Sequence, residues 1–309
     1  MISIAETTYH IPVLSDQVCS LLITDPSGIY VDCTFGGGGH SIKILSRLGP
    51  EAQLIAIDKD KDSPGQTIED KRLRFIRGDF RFLKNYLEYL DIDSVDGILA
   101  DLGVSAHQLA EGRRGFSFKK EAPLDMRMSQ DQEFSAFHFL KKVNEKELSE
   151  ILRNYGELSQ STLLAKKIIY FRDLYGLNNT SDLVKAISGF KLRGNQEKLL
   201  ACVFQAIRIH INDELGALKK LLSLAPQVLK VGGRIVILSY HSLEDRLVKN
   251  FFKCGNFEGE VNYNVYGQST HVLNSLASHA LKPEDKEITE NPKARSARLR
   301  AAEKLKLEK

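Results

Sequence analysis

The spacing of apolar residues changes twice along this chain. In the first hundred residues, short β-branched runs alternate with segments whose apolar residues recur at helical spacing. The runs at 29–34, 53–58, 73–77 and 97–101 predict strands, with helices over 41–48 and 80–90. Strands alternating with helices imply a parallel, doubly wound sheet. After Asp101 the alternation stops. Residues 102–130 carry Gly103, Gly112, Gly115 and Pro123 and predict a long loop, a feature that in compact domains is usually functional. A helical block follows. Asn144 with Glu147 resembles a capping box, Leu148, Ile151, Leu152 and Tyr155 form an apolar face, and further helices are expected over 163–174 and 181–187. The first pattern then resumes, with helices over 199–215 and 218–229, a turn at Gly232-Gly233 and a buried strand over 234–239. The expected fold is α/β: a discontinuous doubly wound domain, 1–128 and 206–309, with an inserted helical subdomain at 129–205 that would recognise substrate.

Ligands of such sheets bind beyond the carboxyl ends of the strands. The first strand runs through Asp32 into four consecutive glycines, Gly36 to Gly39, then His40. Glycine is needed where backbone takes positive φ or lies against a ligand, and a helix start offers unpaired N–H groups. The second strand ends in Asp58, suited to accept both hydroxyls of an adenosine ribose. The third ends in Gly78-Asp79-Phe80 and the fourth in Asp101-Leu102-Gly103. A dinucleotide fingerprint is incomplete, because Ser41 occupies its third glycine position, and no Gly-Lys-Ser/Thr follows the loop. The set suits S-adenosylmethionine, with Asp58 on the ribose, Phe80 on the adenine and Asp101 near the methyl group. Phe80 fits a core aromatic equally well, and Asp79 a helix N-cap.

Composition narrows the setting. The 309 residues are 27% charged and 42% hydrophobic, as in soluble globular proteins. No apolar run approaches the ~20 residues of a membrane span, and the first residues lack a signal-peptide layout. Cys19, Cys33, Cys202 and Cys254 are scattered without zinc spacing, so a cytoplasmic protein without a metal site is expected. The net charge of +3 says little about partners, but its distribution says more. Arg113, Arg114, Lys119 and Lys120 surround Phe116 and Phe118, a combination that could hold RNA phosphates and stack on bases or form a solvated loop. The basic tail from Lys293 to Lys306 reads more readily as a solvated terminal helix.

Methyl transfer from a sulfonium is an in-line displacement that needs alignment and desolvation. A pyrimidine carbon acceptor would require a cysteine nucleophile. None of the four cysteines stands at the end of the fourth strand, so a nitrogen or oxygen acceptor is expected, with Asp101 as the catalytic partner of an exocyclic amine.

These residues resemble the MraW/RsmH family, bacterial methyltransferases that modify N4 of a cytidine in 16S ribosomal RNA. The resemblance runs nearly end to end. It rests on His10 to Leu14, Asp32 to His40, Asp101 to Ser105 with Gln108, Arg114 to Phe118, Pro123 to Met128, Phe204 to Ile209, Asn212 to Leu215, His241 to Arg246, and Asn291 to Arg300. It implies a Rossmann-like class I methyltransferase fold and cofactor contacts at Gly38, Gly39, His40, Asp58, Phe80, Asp101 and Gln108. His40 and Gln108 come from the resemblance alone. It also implies 16S rRNA or the small ribosomal subunit as partner. Where the family has Ser-Ser-Pro-Gln-Leu-Asp, this chain has Ser105-Ala106-His107-Gln108-Leu109-Ala110; where it has Pro-Ala-Thr-Arg, this chain has Leu200-Ala201-Cys202-Val203. Alternatives are a same-fold amino-methyltransferase acting on another nucleic acid or a protein, and a non-catalytic RNA-binding assembly factor.

Overall fold

The computed structural model describes residues 12–63, 65, 68–105, 108, 112–190, 195–261 and 271–306. His10 and Ile11 of the N-terminal motif, and Ala106, His107, Leu109 and Ala110, lie outside these residues. The chain divides into two compact units, 1–103 with 215–309, and 104–214.

The first unit is built on a seven-stranded sheet: β1 (Ile29–Asp32), β2 (Gln53–Asp58), β3 (Leu73–Arg77), β4 (Val95–Asp101), β5 (Leu229–Ser239), β6 (Leu273–Ser275) and β7 (Arg298–Lys304). Their order is β3-β2-β1-β4-β5-β7-β6. The first five are parallel, and β7 runs antiparallel between β5 and β6. This is the doubly wound α/β sheet expected of a class I methyltransferase. Residue alternation assigns its two faces. Tyr30, Leu54, Leu99, Val236 and Leu238 pack with α1 (Ser15–Leu22) and α2 (Gly39–Leu45). Val31, Ile55, Ile98, Ile235 and Ile237 pack with α3 (Leu83–Tyr89), α9 (Glu214–Val228) and α10 (Ser242–Cys254). Burial on both faces explains why these strands read as continuous apolar runs. Strand order reverses about β1, so the ends of β1, β2 and β4 converge on one crevice.

Two expectations about this unit are corrected. Gly232 and Gly233 lie within β5, where the pairing register with β4 shifts between Val95 and Gly97. Gly232 has φ +81°, and a Cβ at Gly233 would come 2.9 Å from the Lys230 carbonyl oxygen. The basic tail is strand β7, not a solvated helix. Its alanines, lysines and arginines favour helix intrinsically, but pairing with β5 and β6 and burial of Leu299, Ala301 and Ala302 override propensity.

The second unit is helical: α4 (Ala136–Lys142), α5 (Glu145–Gly156), α6 (Ser161–Tyr175), α7 (Thr180–Ile187) and α8 (Gln196–Asn212). Ser135, Asn144, Asn179 and Asn195 cap α4, α5, α7 and α8 with side-chain oxygens. Leu148 and Leu152 of α5 pack with Leu164 and Ile168 of α6 and with Val203 and Ile207 of α8. The unit extends beyond the expected 129–205 on both sides. Much of the supposed loop belongs to it, because Phe116, Leu124, Met126 and Met128 enter the same core. Asn212 fixes this segment, accepting from the Met128 N–H at 2.7 Å and donating to the Met126 carbonyl at 2.7 Å.

Asp245 fastens β7 to α10. Its Oδ1 accepts from Arg300 Nε and its Oδ2 from Arg298 Nη1, each at 2.7 Å. Burial raises its pKa, but the hydrogen bonds from Arg300 and Arg298 outweigh burial and hold the carboxyl below its usual range. A depressed folded-state pKa stabilises the protein above the unfolded value of about 4 and loses that contribution as pH falls through the folded value. Asp245→Asn should cost roughly 1.5–3 kcal/mol at neutral pH, the range for hydrogen bonds to a charged group. It should also flatten the acid limb of stability. Urea midpoints measured from pH 3 to pH 7 test both effects.

Candidate active site

Three strand-end carboxylates organise the crevice, each held differently. Asp32, at the end of β1, is fully buried. It accepts from the Thr34 N–H at 3.0 Å and the Ser41 hydroxyl at 2.7 Å, bracketing the glycine turn between β1 and α2. Burial raises its pKa, against the hydrogen bond from Ser41. The glycine turn needs its glycines: Gly36 and Gly38 have φ of 54° and 82°. Gly39 approaches Pro12 so closely that a Cβ there would lie 3.3 Å from the proline ring.

Asp58 ties that turn to the end of β2. Its Oδ2 accepts from the Gly36 N–H at 2.6 Å and its Oδ1 from the Asp60 N–H at 2.8 Å. Burial pushes its pKa up to about 6, against these two backbone hydrogen bonds. Each carboxylate oxygen keeps a second lone pair for a ligand hydroxyl. Phe80 packs partly against the sheet core and remains partly exposed. Asp79 caps the short 3₁₀ turn at Phe80–Phe82 by accepting from the Arg81 N–H at 2.9 Å, as the capping alternative anticipated.

Asp101, at the end of β4, meets two side chains from separate elements. Tyr240, just past β5, donates its hydroxyl to Asp101 Oδ1 at 2.7 Å. His40 of α2 places Nε2 3.5 Å from Asp101 Oδ2. Thr34 Oγ1 accepts from the Asp101 N–H at 2.6 Å. Burial lowers the His40 pKa, but Asp101, helped by Asp32 and Glu287, outweighs burial and raises it overall. His40 Nδ1 is buried without a hydrogen-bond partner among the described residues. The Tyr240 phenol is pushed well up by burial and then by the Asp101 charge, so it stays a donor. The Tyr240 N–H donates to Glu244 Oε2 at 2.9 Å. The arrangement presents an oriented carboxylate beside a glycine turn and a second acid.

The first unit thus brings together Gly38, Gly39, His40, Asp58, Phe80 and Asp101. Tyr240 and Asp32 carried no role in the sequence reading. Ser41, nine residues beyond Asp32, was a weak signal for the second, and only knowing that β5 lies beside β4 signals the first. The helical unit holds the remaining candidates. Gln108 is buried there; its Oε1 accepts from the Ser105 N–H at 3.0 Å, and its own N–H donates to Ser105 Oγ at 3.1 Å.

The basic aromatic segment needs correction. Arg114 is 4% exposed and donates to the carbonyls of Arg127 and Met128, at 2.6 and 2.9 Å. Phe116 is buried in the helical core, and Phe118 packs edge-on against Phe204 with ring centroids 5.7 Å apart. An aromatic enclosed in a core cannot stack on a base, so Phe116 serves packing, whereas Phe118 stays partly exposed. Arg113, Lys119 and Lys120 remain exposed. Cysteine chemistry is also disfavoured. Cys33 is buried in the sheet core, and desolvation pushes its thiol well up.

Residues 7–305 match the profile described as the MraW methylase family. A protein from Bacteroides fragilis strain YCH46, named Ribosomal RNA small subunit methyltransferase H, is 44% identical over 299 residues, covering 97% of this chain and 98% of its own. A protein of the same name from Flavobacterium johnsoniae is 43% identical over 297 residues, covering 96% and 98%. Among solved structures, the chain is similar to an rRNA methylase from Streptococcus thermophilus, with 14% identity, a TM-score of 0.37, and 94% of each chain covered.

The packing of Phe116 sets a stability expectation. Phe116→Ala should destabilise the helical unit by about 3–5 kcal/mol, the usual cost of deleting a buried phenyl ring. Phe118→Ala, at a partly exposed position, should cost less. Thermal melts and urea titrations of the two variants give the comparison; an unchanged midpoint for Phe116→Ala would contradict the packing role.

Proposed function

The chain belongs to the MraW methylase family, and from that premise we propose that it methylates the exocyclic N4 of a cytidine in 16S rRNA of the small ribosomal subunit, with S-adenosylmethionine as methyl donor. Full-length similarity to proteins named for rRNA methylation supports the RNA substrate. On this reading the enzyme works in the cytoplasm, where ribosomal subunits assemble. No helix among the described residues is long and apolar enough to cross a membrane. The observation that carries the chemistry is the Asp101 carboxylate, oriented by Tyr240 and His40 beside the glycine turn.

The crevice fits the cofactor. Gly36 and Gly38 form a turn that side chains would strain, Asp58 keeps acceptor capacity, and His40 Nδ1 is a buried polar atom awaiting a partner. Bound there, S-adenosylmethionine supplies a methyl group made electrophilic by its sulfonium. Asp58 would accept the ribose hydroxyls, Phe80 would pack on the adenine, and Gly38, Gly39 and His40 would complete the binding set of the sheet unit. Asp101 acts on the acceptor. The lone pair of a cytosine amine is delocalised into the ring, so a carboxylate oxygen accepting one N–H helps localise it. The same oxygen faces the positive charge that builds on nitrogen and can take the proton released. Tyr240 is a positioning residue that holds Oδ1 and leaves Oδ2 for this work.

Two tests follow from the carboxylates. Ribose hydroxyls bind the ionised form of Asp58, whose pKa near 6 means that cofactor affinity should rise from pH 5 to pH 7 and then level off. Asp58→Asn should remove that pH dependence and weaken binding at pH 7.5 by at least about tenfold. Calorimetric titration measures both, and a pH-independent affinity in the parent protein would remove Asp58 from the ribose.

Asp101→Asn should lower the single-turnover rate on 16S rRNA substrate by about 100-fold or more at saturating cofactor, the scale of general-base contributions. A near-normal rate would leave Asp101 a binding residue only. Mass mapping of nucleosides from the parent reaction should find N4-methylcytidine, and another modified nucleoside would overturn the substrate assignment.

A further inference from the structure

Beyond the end of β5, a cleft of about 190 Å³ opens in the surface of the sheet unit. Its lining includes Tyr240, Ser242, Lys282, Arg295, Ser296 and Arg298. Its lining thus offers three cations and two serine hydroxyls, and no carboxylate. A water molecule occupies about 30 Å³ of liquid, so the space admits a tetrahedral oxyanion with some of its hydration.

The cations are not equivalent. Arg298 is committed to Asp245. Lys282 and Arg295 are exposed and have no ion pair or side-chain hydrogen bond among the described residues. The basic tail therefore divides by role. Arg298 and Arg300 brace β7 against α10, Lys304 donates to the Leu229 carbonyl at 2.7 Å, and Arg295 is left to face a ligand. Tyr240 joins this cleft to the chemistry, because the residue at its border is the one whose hydroxyl holds Asp101 Oδ1. An anion in the cleft would lie within one tyrosine side chain of the acceptor carboxylate. A nucleotide separates its base from its own phosphates over a comparable span.

We propose that this cleft binds a phosphodiester of the RNA chain next to the target nucleotide, with Lys282 and Arg295 as its ligands. The proposal rests on the methyltransferase reading above and extends it by naming a backbone subsite. Point charges on a phosphate position the strand without reading its sequence, and they make affinity salt-dependent.

The test uses the full-length protein and a 16S rRNA transcript. RNA binding is titrated from 50 to 300 mM salt, alongside methylation kinetics, for the parent and a Lys282→Ala/Arg295→Ala double variant. One lost phosphate contact on a single strand should make the plot of log affinity against log salt shallower by about 0.7. The KM for RNA should rise about tenfold, with single-turnover rate and cofactor affinity within about twofold. The charge-conserving pair Lys282→Arg/Arg295→Lys should keep the parent slope. A double variant that binds and methylates RNA with the parent slope and KM would overturn the subsite. So would a lowered melting temperature with lost cofactor affinity in both pairs of variants, which marks a structural role. If inorganic phosphate stabilises the parent but the double variant keeps the parent RNA slope, the cleft is a free-anion site and the proposal fails. A parent that binds the transcript without methylating it would instead overturn the methyltransferase reading, while the salt slopes still decide the subsite.

Discussion

The site depends on keeping three carboxylates close together in a largely desolvated crevice. Asp32, Asp58 and Asp101 end adjacent strands of one parallel sheet, so their mutual repulsion is built into the fold. Each is offset by its own donors: Ser41 and the Thr34 N–H for Asp32, the Gly36 and Asp60 N–H groups for Asp58, and the Tyr240 hydroxyl for Asp101, with His40 Nε2 in a longer contact at 3.5 Å. The donors come from the glycine turn, α2 and the exits of β2 and β5. Local chain geometry and carboxylate chemistry are therefore a single constraint. Displacing the turn would cost Asp58 and Asp32 a donor each.

That dependence separates the roles of the three acids. Asp32 is fully enclosed, which suits it to holding the turn. Asp58 has donors on both oxygens but lies partly exposed, with acceptor capacity left for a ligand. Asp101 has one oxygen engaged at 2.7 Å by Tyr240 and the other in a longer contact with His40, which leaves that oxygen the more available. The same residue type is structural at one strand end and chemical at another because burial and the nature of the donors differ.

Much of this was legible in the sequence, for physical reasons. The strands at 53–58 and 73–77 lie where expected: Gln53–Asp58 is a buried apolar run that stops at a polar residue, whereas Leu73–Arg77, at the sheet edge, mixes apolar residues with exposed arginines. Asp58 and Asp101 follow from where the runs at 53–58 and 97–101 end. Tyr240 did not, because it needs the neighbour relation between β4 and β5, two strands 139 residues apart at this contact. The tail strand was hidden by residues whose local preference is helical. The segment around Phe116 misled in the opposite way, because glycines and charges flank residues whose partners, Phe204 and Asn212, lie far along the chain. His40 and Gln108 carry no pattern of their own, and family resemblance alone pointed to them.

The central claim is that an oriented Asp101 carboxylate drives methyl transfer, and Tyr240→Phe tests it most directly. The variant deletes one hydroxyl and leaves the ring, the turn and the strand pairing in place. With saturating cofactor and a 16S rRNA substrate, its single-turnover rate should fall by about tenfold, the loss expected for one hydrogen bond to a charged group, while cofactor affinity and melting temperature stay near those of the parent. An unchanged rate, or a loss confined to cofactor affinity, would contradict the account.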